Sequence, residues 1–521
     1  MIHVKRWLAV LLAGALLGAG FMPAVSARAE ESLPGISVEG QQFVDEYGRV
    51  RILHGINFKN DGREAQWNPP LGRLALLDEA FFVRCREMGL DLLRLGLCWQ
   101  NIEPEKGQYN EPFLQKVDEV FDLAQQYGMY VFIDMHQDLY SSYSSGNVGN
   151  GAPEWACLTD GRWQQPKVLI TWAEQYFWGR AVQRSFDHFW NNDPVLGKGL
   201  QEHYAEVWQE MARRYGDHPA FFGFDLLNEP YPGTPGGRVF LKLIGKAVIV
   251  ALFSPAVKRL KFLKNLICKE GNVLDVLTPQ VMRQATQAGD KLIREFDLCK
   301  YTPFVARLDS ALREVTPNGI LLMENSYYSN IGIPYSAKAP AGESQVAFAP
   351  HAYDFGVDTP AYQFLNTERV EALFAEHYRS QQRLDVPVVV GEWGGRGDGD
   401  GYLAHISFLL DLFDSYQWSN TYFAFRDGFF EHPVVDMLRR AYPMAINGTD
   451  IRYAYDRQAG TFTLEYTQTQ AGGKPTILFL PAEGTVNAPG LTVETKPLAD
   501  GGVYVYLTGG AGAHRVTVEG L

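Results

Sequence analysis

The chain has 521 residues and a mass of 58.5 kDa, enough to bury a large core and more than one domain. With 46% of residues apolar and 21% charged, global disorder is excluded. Lys and Arg total 47 against 60 Asp and Glu, a net charge of −13. Such an acidic protein is a poor general polyanion binder, so no nucleic-acid partner is expected.

The first 29 residues have the form of a secretory signal. Lys5 and Arg6 make a basic start, Leu8 to Met22 an apolar stretch, and Ala27-Arg28-Ala29 a small-x-small cleavage pattern. The mature chain is expected to begin at Glu30 and to be secreted or periplasmic. The apolar stretch is short for a membrane span, and no cysteine follows it to suggest a lipid anchor. The five cysteines, Cys85, Cys98, Cys157, Cys268 and Cys299, form no disulfide scaffold and no zinc-ligand spacing. Cys85 and Cys98 lie in apolar sequence and read as buried thiols. Cys268 and Cys299 are left as either a pair or two free thiols.

Next, ISVEGQQFVDEYGRVR alternates and turns at Tyr47-Gly48 in the manner of a small hairpin, and is expected to close the floor of the domain that follows. From residue 51 a short apolar strand and a helical stretch alternate. The strands are RILHGINF (51–58), LLRLGLCW (92–99), YVFIDMH (130–136), FFGFDLLNEP (221–230), ILLMENSYY (320–328), VAFAPHAYD (346–354), PVVVGEWG (387–394) and TYFAFRDG (421–428). Helical stretches are predicted at 78–89, 111–127, 200–215, 303–315, 367–383 and 401–415. Near-continuous apolar strands alternating with helices imply a buried parallel sheet, and eight such units are the count of a (β/α)8 TIM barrel. A doubly wound sheet is disfavoured because no Gly-rich phosphate loop follows the first strand. The barrel is assigned to 30–440. Residues 445–521 change to period-two strands separated by Gly, Pro and Asn turns, a small C-terminal antiparallel β-sandwich.

Ionisable residues gather at the C-terminal ends of the strands, where barrel active sites are built. Glu229 ends the fourth strand in DLLNEPYPG and Glu392 the seventh in VVVGEWGG. A carboxylate is costly to hold in a dry core, and two facing each other across a barrel mouth suit a retaining glycosidase, with one nucleophile and one acid/base. Arg94 on strand two is placed to lie beneath the nucleophile and favour its ionised form. His136 closes strand three, and His351 with Tyr353 closes strand six. Asn228 suits a hydrogen bond to a sugar 2-hydroxyl, which strengthens in an oxocarbenium-like transition state. The rich supply of Trp, Tyr and Phe offers stacking surface for sugar rings as well as core.

Taken together, Arg on strand two, His on three, Asn-Glu on four, His-x-Tyr on six and Glu on seven resemble glycoside hydrolase family five across most of residues 36–430. Within that family GINFKN, DMHQD, DLLNEPYPG, GEWGG and the trailing sandwich are similar to the endoglycoceramidases. The resemblance implies Glu229 as acid/base and Glu392 as nucleophile, with Lys59 and Asp138 as polar contacts to the glycan. It implies retaining hydrolysis of the β-glucosyl bond between oligosaccharide and ceramide in glycosphingolipids, without metal or other cofactor. The same chemistry on a steryl glucoside, a β-glucan or a mannan is the alternative, and a non-catalytic carbohydrate- or lipid-binding barrel a remote one. Strand eight departs from the family's usual stacking Trp by carrying Phe423 and Phe425, with Trp393, Trp172 or Trp178 as other sources of surface.

The second departure is length. Glu229 and His351 are separated by far more chain than two βα units need, so an insertion is expected at about 236–300. Residues 236–269 hold eight Lys plus Arg and no Asp or Glu. Leu260, Leu263 and Ile267 share one helical face opposite Lys258, Lys261 and Asn265. This basic, apolar segment, 238–269, is expected to contact a lipid surface beside the mouth, or else to pack as an ordinary helical hairpin.

Overall fold

The structure is a computed structural model that describes residues 33–60, 72–164, 172–253, 278–357, 365–395 and 397–521. The expected signal sequence and the helix predicted from Pro255 to Cys268 lie outside these residues.

All eight expected strands form, as β1 (His54–Lys59), β2 (Leu92–Leu97), β3 (Tyr130–Met135), β4 (Phe221–Asp225), β5 (Ile320–Glu324), β6 (Val346–Ala349), β7 (Val389–Gly394) and β8 (Ser419–Phe423). They are parallel neighbours in sequence order, with β8 returning to β1. The ring closes between β6 and β7, where Phe348 donates its N–H to Pro387 and Gly391 to Pro350, and Phe348 and His351 bridge Val388 and Glu392. This is a TIM barrel, as the strand count implied.

Period-two geometry explains how the barrel carries both a core and a site. Leu92, Tyr130, Phe132, Ile320, Leu322, Ala347, Ala349 and Val389 make a closed apolar plug inside it, capped from below by Phe43. Two residues further along the same inward faces stand Arg94, Asp134, Glu324 and His351, all buried. The apolar half of each strand fixes the register, and the ionisable half is carried to the mouth.

Outside the ring, amphipathic helices bury their apolar stripes against the strands. Glu111–Gln126 is representative: Asn110 caps its N-terminus by accepting the Phe113 N–H, and Phe113, Leu114, Val117, Val120, Phe121 and Ala124 are buried. The predicted helices all form, within a residue or two at each end. Arg180–Asn191, between β3 and β4, was not anticipated.

The expected hairpin turns at Tyr47-Gly48 and pairs Gln42–Asp45 with Val50–Arg51; a strand before it, Ile36–Glu39, adds antiparallel to Gln42–Asp45 through a turn that was not expected. Val50–Arg51 also pairs antiparallel with β9 (Tyr442–Ile446), joining the hairpin to a seven-stranded sheet of the C-terminal sandwich. That sheet continues through β12 (Thr476–Leu480), β15 (Val503–Gly509) and β14 (Leu491–Pro497). The second sheet is built from β10 (Thr449–Asp456), β11 (Thr461–Gln468), β16 (Gly512–Glu519) and β13 (Thr485–Asn487). Their shared core includes Ile446, Phe462, Leu464, Phe479, Val505 and Val516.

The insertion after β4 is helical where it is described: Thr234–Phe253, Pro279–Thr286 and Asp290–Phe296, the last running through a wide turn, Asp297–Tyr301, into Thr302–Arg313. Cys85 and Cys98 are buried free thiols as expected, and Cys299 is an exposed free thiol; Cys268 lies outside the described residues.

Candidate active site

Arg94 organises the mouth. Its guanidinium is buried and donates to Asp225 (2.8 Å), Glu392 (2.5 Å), Asn57 (3.0 Å), Asn228 (3.0 Å) and Glu324 (2.7 Å), with Asp134 a further ion-pair partner at 3.1 Å. One delocalised cation thus faces four carboxylates, an arrangement that the planar fork of arginine suits better than a point charge. Burial opposes this, yet the four acids outweigh it and hold Arg94 charged.

Glu392 stands at the end of β7. One oxygen accepts from Arg94 and the other from the Tyr353 hydroxyl at 3.0 Å. Glu229 follows β4 with φ of +43°, a left-handed conformation costly for a residue with a side chain. Neighbours hold it there: its N–H donates to Glu324 at 2.6 Å, and the Gln137 amide donates to the carbonyls of Asn228 (2.8 Å) and Glu229 (3.3 Å). The Glu229 carboxyl accepts from the Asn330 amide at 2.5 Å and lies 3.3 Å from His351 Nδ1. Burial, then the charges of Glu392 and Asp138, push its pKa well above the usual carboxylate range.

His351, Glu229 and Glu392 converge, each offering an atom within 4.8 Å of the others. Burial and the nearby Arg94 charge keep His351 well below the usual imidazole pKa, hence neutral. His136 is the opposite case. Burial would lower its pKa, but Asp134 at 2.6 Å and Asp138 at 3.5 Å raise it to about 9. Lys59 on β1 pairs with Asp138 at 2.7 Å, and with His136 it overcomes the burial of Asp138 and holds that acid well below its normal pKa. Asn228 accepts from Arg94 through its side-chain oxygen and donates from its amide to the Gln137 carbonyl at 3.0 Å.

Every site residue singled out from the sequence, Lys59, Arg94, His136, Asp138, Asn228, Glu229, His351, Tyr353 and Glu392, therefore belongs to one connected network at the mouth. The aromatic surfaces divide. Phe423 is half-buried with its ring 6.5 Å from that of Tyr353, but Phe425 is buried edge-on against Phe81 at 4.7 Å and cannot stack on a sugar. Trp393 is fully buried against Phe413 and Tyr422, whereas Trp172 and Trp178 are exposed.

Among the described residues, three groups of acids and imidazoles are compact enough to surround a cation: Asp134, His136 and Glu392; Asp225, Glu324 and His351; and Glu229, His351 and Glu392. Arg94 already supplies the positive charge to Asp134, Asp225, Glu324 and Glu392. The donor set is better explained by that one guanidinium than by a metal.

The cellulase (glycosyl hydrolase family 5) family matches residues 52–261 and 300–428, and the glycoside hydrolase family 5 C-terminal domain matches 440–518. The chain belongs to glycosyl hydrolase family 5. It is a glycoside hydrolase, and the gap between the two matched stretches falls within the insertion expected at about 236–300. Endoglycoceramidase I of Rhodococcus hoagii is 26% identical over 85% of this chain and 79% of its own. A glucosylceramidase of Aspergillus fumigatus is 33% identical over a shorter stretch, 39% of this chain and 33% of that protein. The fold is shared with endo-glycoceramidase II from Rhodococcus sp. in its ganglioside GM3 complex, at a TM-score of 0.68 and 23% identity over 93% of this chain and 100% of that one.

Six residues of this network, Asn57, Asp134, Gln137, Asp225, Glu324 and Asn330, are not singled out by the sequence. Asp134, Asp225 and Glu324 are carboxylates at the ends of apolar strands, the same signature that marked Glu229 and Glu392, and the rule applied evenly would have found them. Asn330 lies on a short 3-10 turn, Tyr327–Ile331, beyond β5, where no strand periodicity points to it.

Proposed function

We propose that this hydrolase is a retaining endo-β-glycosidase that cleaves the β-glucosyl bond between the oligosaccharide and the ceramide of glycosphingolipids. The observation that carries the mechanism is the closeness of the two carboxylates, which approach within 4.8 Å of each other and of His351. An inverting pair needs about 6.5–9.5 Å to admit a water, and a retaining pair about 5–5.5 Å. Glu392, held by Arg94 and Tyr353, attacks the anomeric carbon. Glu229, kept protonated, gives its proton to the departing ceramide oxygen. The glycosyl–Glu392 ester is then opened by a water that loses its proton to Glu229, with net retention. Asn228 binds the sugar 2-hydroxyl, and Lys59 with Asp138 binds the glycan further out.

Similarity to an endoglycoceramidase over most of the chain supports the ceramide substrate. A substrate of this kind sits in a membrane, so turnover takes place at a lipid surface. The form of residues 1–29 supports export to the periplasm or beyond. The local likeness to a glucosylceramidase favours a second reading, release of single glucose from glucosylceramide or another glucosyl lipid.

A substrate panel separates these readings. The purified protein is incubated in detergent with a fluorescent ganglioside, lactosylceramide, glucosylceramide, a steryl glucoside and a soluble β-glucan. Release of intact oligosaccharide as the β-anomer supports the endo reading. Cleavage confined to the monoglucosyl lipids supports the second, and cleavage of the glucan alone overturns both.

A further inference from the structure

The helix Thr234–Phe253, α1, begins five residues after Glu229 and holds no acidic residue. Its first turn is fixed to the mouth: the Tyr328 hydroxyl donates to the Gly236 carbonyl at 2.6 Å, and Thr234 is held through its N–H (2.8 Å) and hydroxyl (2.6 Å) by Asp187. Val239 and Leu243 are buried, and Phe240 stacks on Phe177 at 3.9 Å. That face anchors the helix.

From Leu241 to Ile249 the opposite face is apolar and open, with exposed Arg238 one turn before it. Leu241 is 71% exposed, Ile244 47%, Val248 43% and Ile249 53%. At 100° per residue these four span an arc of about 140°, bordered on one side by Lys242 and Lys246, both exposed. An apolar stripe this wide is usually turned inward, so its exposure on a soluble face calls for an occupant. Exposed Trp178, its ring 6.1 Å from Phe240, and exposed Trp172 continue the patch from α1 towards Tyr176. Tryptophan is suited to the boundary between water and hydrocarbon, because it combines a large apolar ring with a donor N–H. No helix among the described residues is long and apolar enough to cross a membrane.

We propose that this face of α1, with Trp172 and Trp178, docks on the headgroup region of a bilayer containing anionic lipid. An amphipathic helix with lysines at the edge of its apolar stripe lies in such an interface, held by apolar burial and by attraction to negative headgroups. Charge complementarity favours this occupant over a second copy of the chain, whose net charge is acidic but whose matching face would carry the same lysines. The inference rests on the lipid-substrate reading above and adds to it where the membrane is met: beside the mouth, on the side where the chain leaves Glu229.

Vesicle co-sedimentation of the full chain tests it, with phosphatidylcholine vesicles that contain or lack one third phosphatidylserine. Binding to the anionic vesicles is expected and should weaken as salt is raised. Lys242→Ala with Lys246→Ala should weaken it on the order of tenfold. Ile244→Glu with Ile249→Glu should abolish it and slow cleavage of vesicle-embedded glycolipid by at least about tenfold. Cleavage of the same glycolipid in detergent should stay at the unsubstituted rate for both variants. Unchanged vesicle binding by the glutamate variant overturns the docking face, as does a dimer in solution that this variant dissociates. Loss of detergent cleavage by the unsubstituted protein instead overturns the substrate reading, so the two failures are distinct.

Discussion

Glu229 and Glu392 end neighbouring halves of one barrel mouth and are the same side chain, yet their surroundings are opposite. Glu392 meets a cation and a hydroxyl, Arg94 and Tyr353, both donating to it. Glu229 meets a neutral amide, a neutral imidazole and the negative charges of Glu392 and Asp138, which outweigh the opposing charge of His136. The difference lies in where one guanidinium points. Arg94 rises from β2 among the inward-facing acids and reaches Glu392 but not Glu229, so one carboxyl is given a counter-charge and the other is left to hold its proton. A single buried arginine thus divides two like groups into nucleophile and acid.

The division predicts unequal consequences of deletion. Glu392→Ala removes the covalent step and should lower kcat by on the order of 10⁴-fold or more on every substrate. Glu229→Ala should cost about 10²–10⁴-fold on a lipid glycoside, whose leaving group needs a proton. On an aryl glycoside with an acidic phenol it should cost far less in the first step, because that leaving group departs unprotonated. Steady-state and burst kinetics on the two substrate types check this. Equal losses for both variants on both substrates would break the assignment of separate roles.

Arg94 itself carries the next largest effect. Arg94→Met leaves Asp134, Asp225, Glu324 and Glu392 buried without their shared cation. Burial already raises Asp225 to about 6 and Glu324 well above the normal range even with Arg94 in place. Stranding such charges costs about 3–5 kcal/mol, measurable as a lower urea midpoint at neutral pH. Asp225 and Glu324 should take up protons in the variant, so part of the lost stability should return as pH is lowered towards 5. A variant as stable as the parent would show that the acids do not depend on the guanidinium.

How far the sequence reveals this centre depends on how each residue reaches it. The barrel is legible because eight apolar strands each end in polar residues, and Glu229, Glu392, Arg94, His136 and His351 are legible as ionisable groups at those ends. The hairpin's union with the sandwich is not: Val50 and Arg51 pair with Ile446 and Ala445, nearly four hundred residues away, and local pattern carries no such pairing. Phe425 misled for a related reason. As the family's stacking position is Trp, an aromatic two residues past β8 reads as its replacement, but the backbone turns this ring into the cluster of Phe81, Phe429 and Phe430. Polar residues on loops beyond the strands are the least legible, and Asn330 is the clearest case.

Asn330 offers the finest test of the contrast between the two glutamates. Its amide is the donor closest to Glu229, at 2.5 Å, and a hydrogen bond to the ionised form lowers the pKa that burial, Glu392 and Asp138 raise. Removing it in Asn330→Ala should therefore raise the Glu229 pKa further. Activity requires Glu229 protonated in the first step and is lost as pH rises through that pKa, so the basic limb of the kcat/KM profile should move to higher pH. The second step requires the ionised form to accept a proton from water, so kcat at neutral pH should fall a few-fold as that form grows scarcer. Asn330→Asp should move the basic limb the same way by adding a negative charge, whereas Asn330→Gln should restore part of the parent profile if its amide reaches the carboxyl. A loss of activity in Asn330→Ala with no movement of the basic limb would mean that the amide only holds the side chain in place. The proton on Glu229 would then be governed by burial and the surrounding charges, led by Glu392 and Asp138.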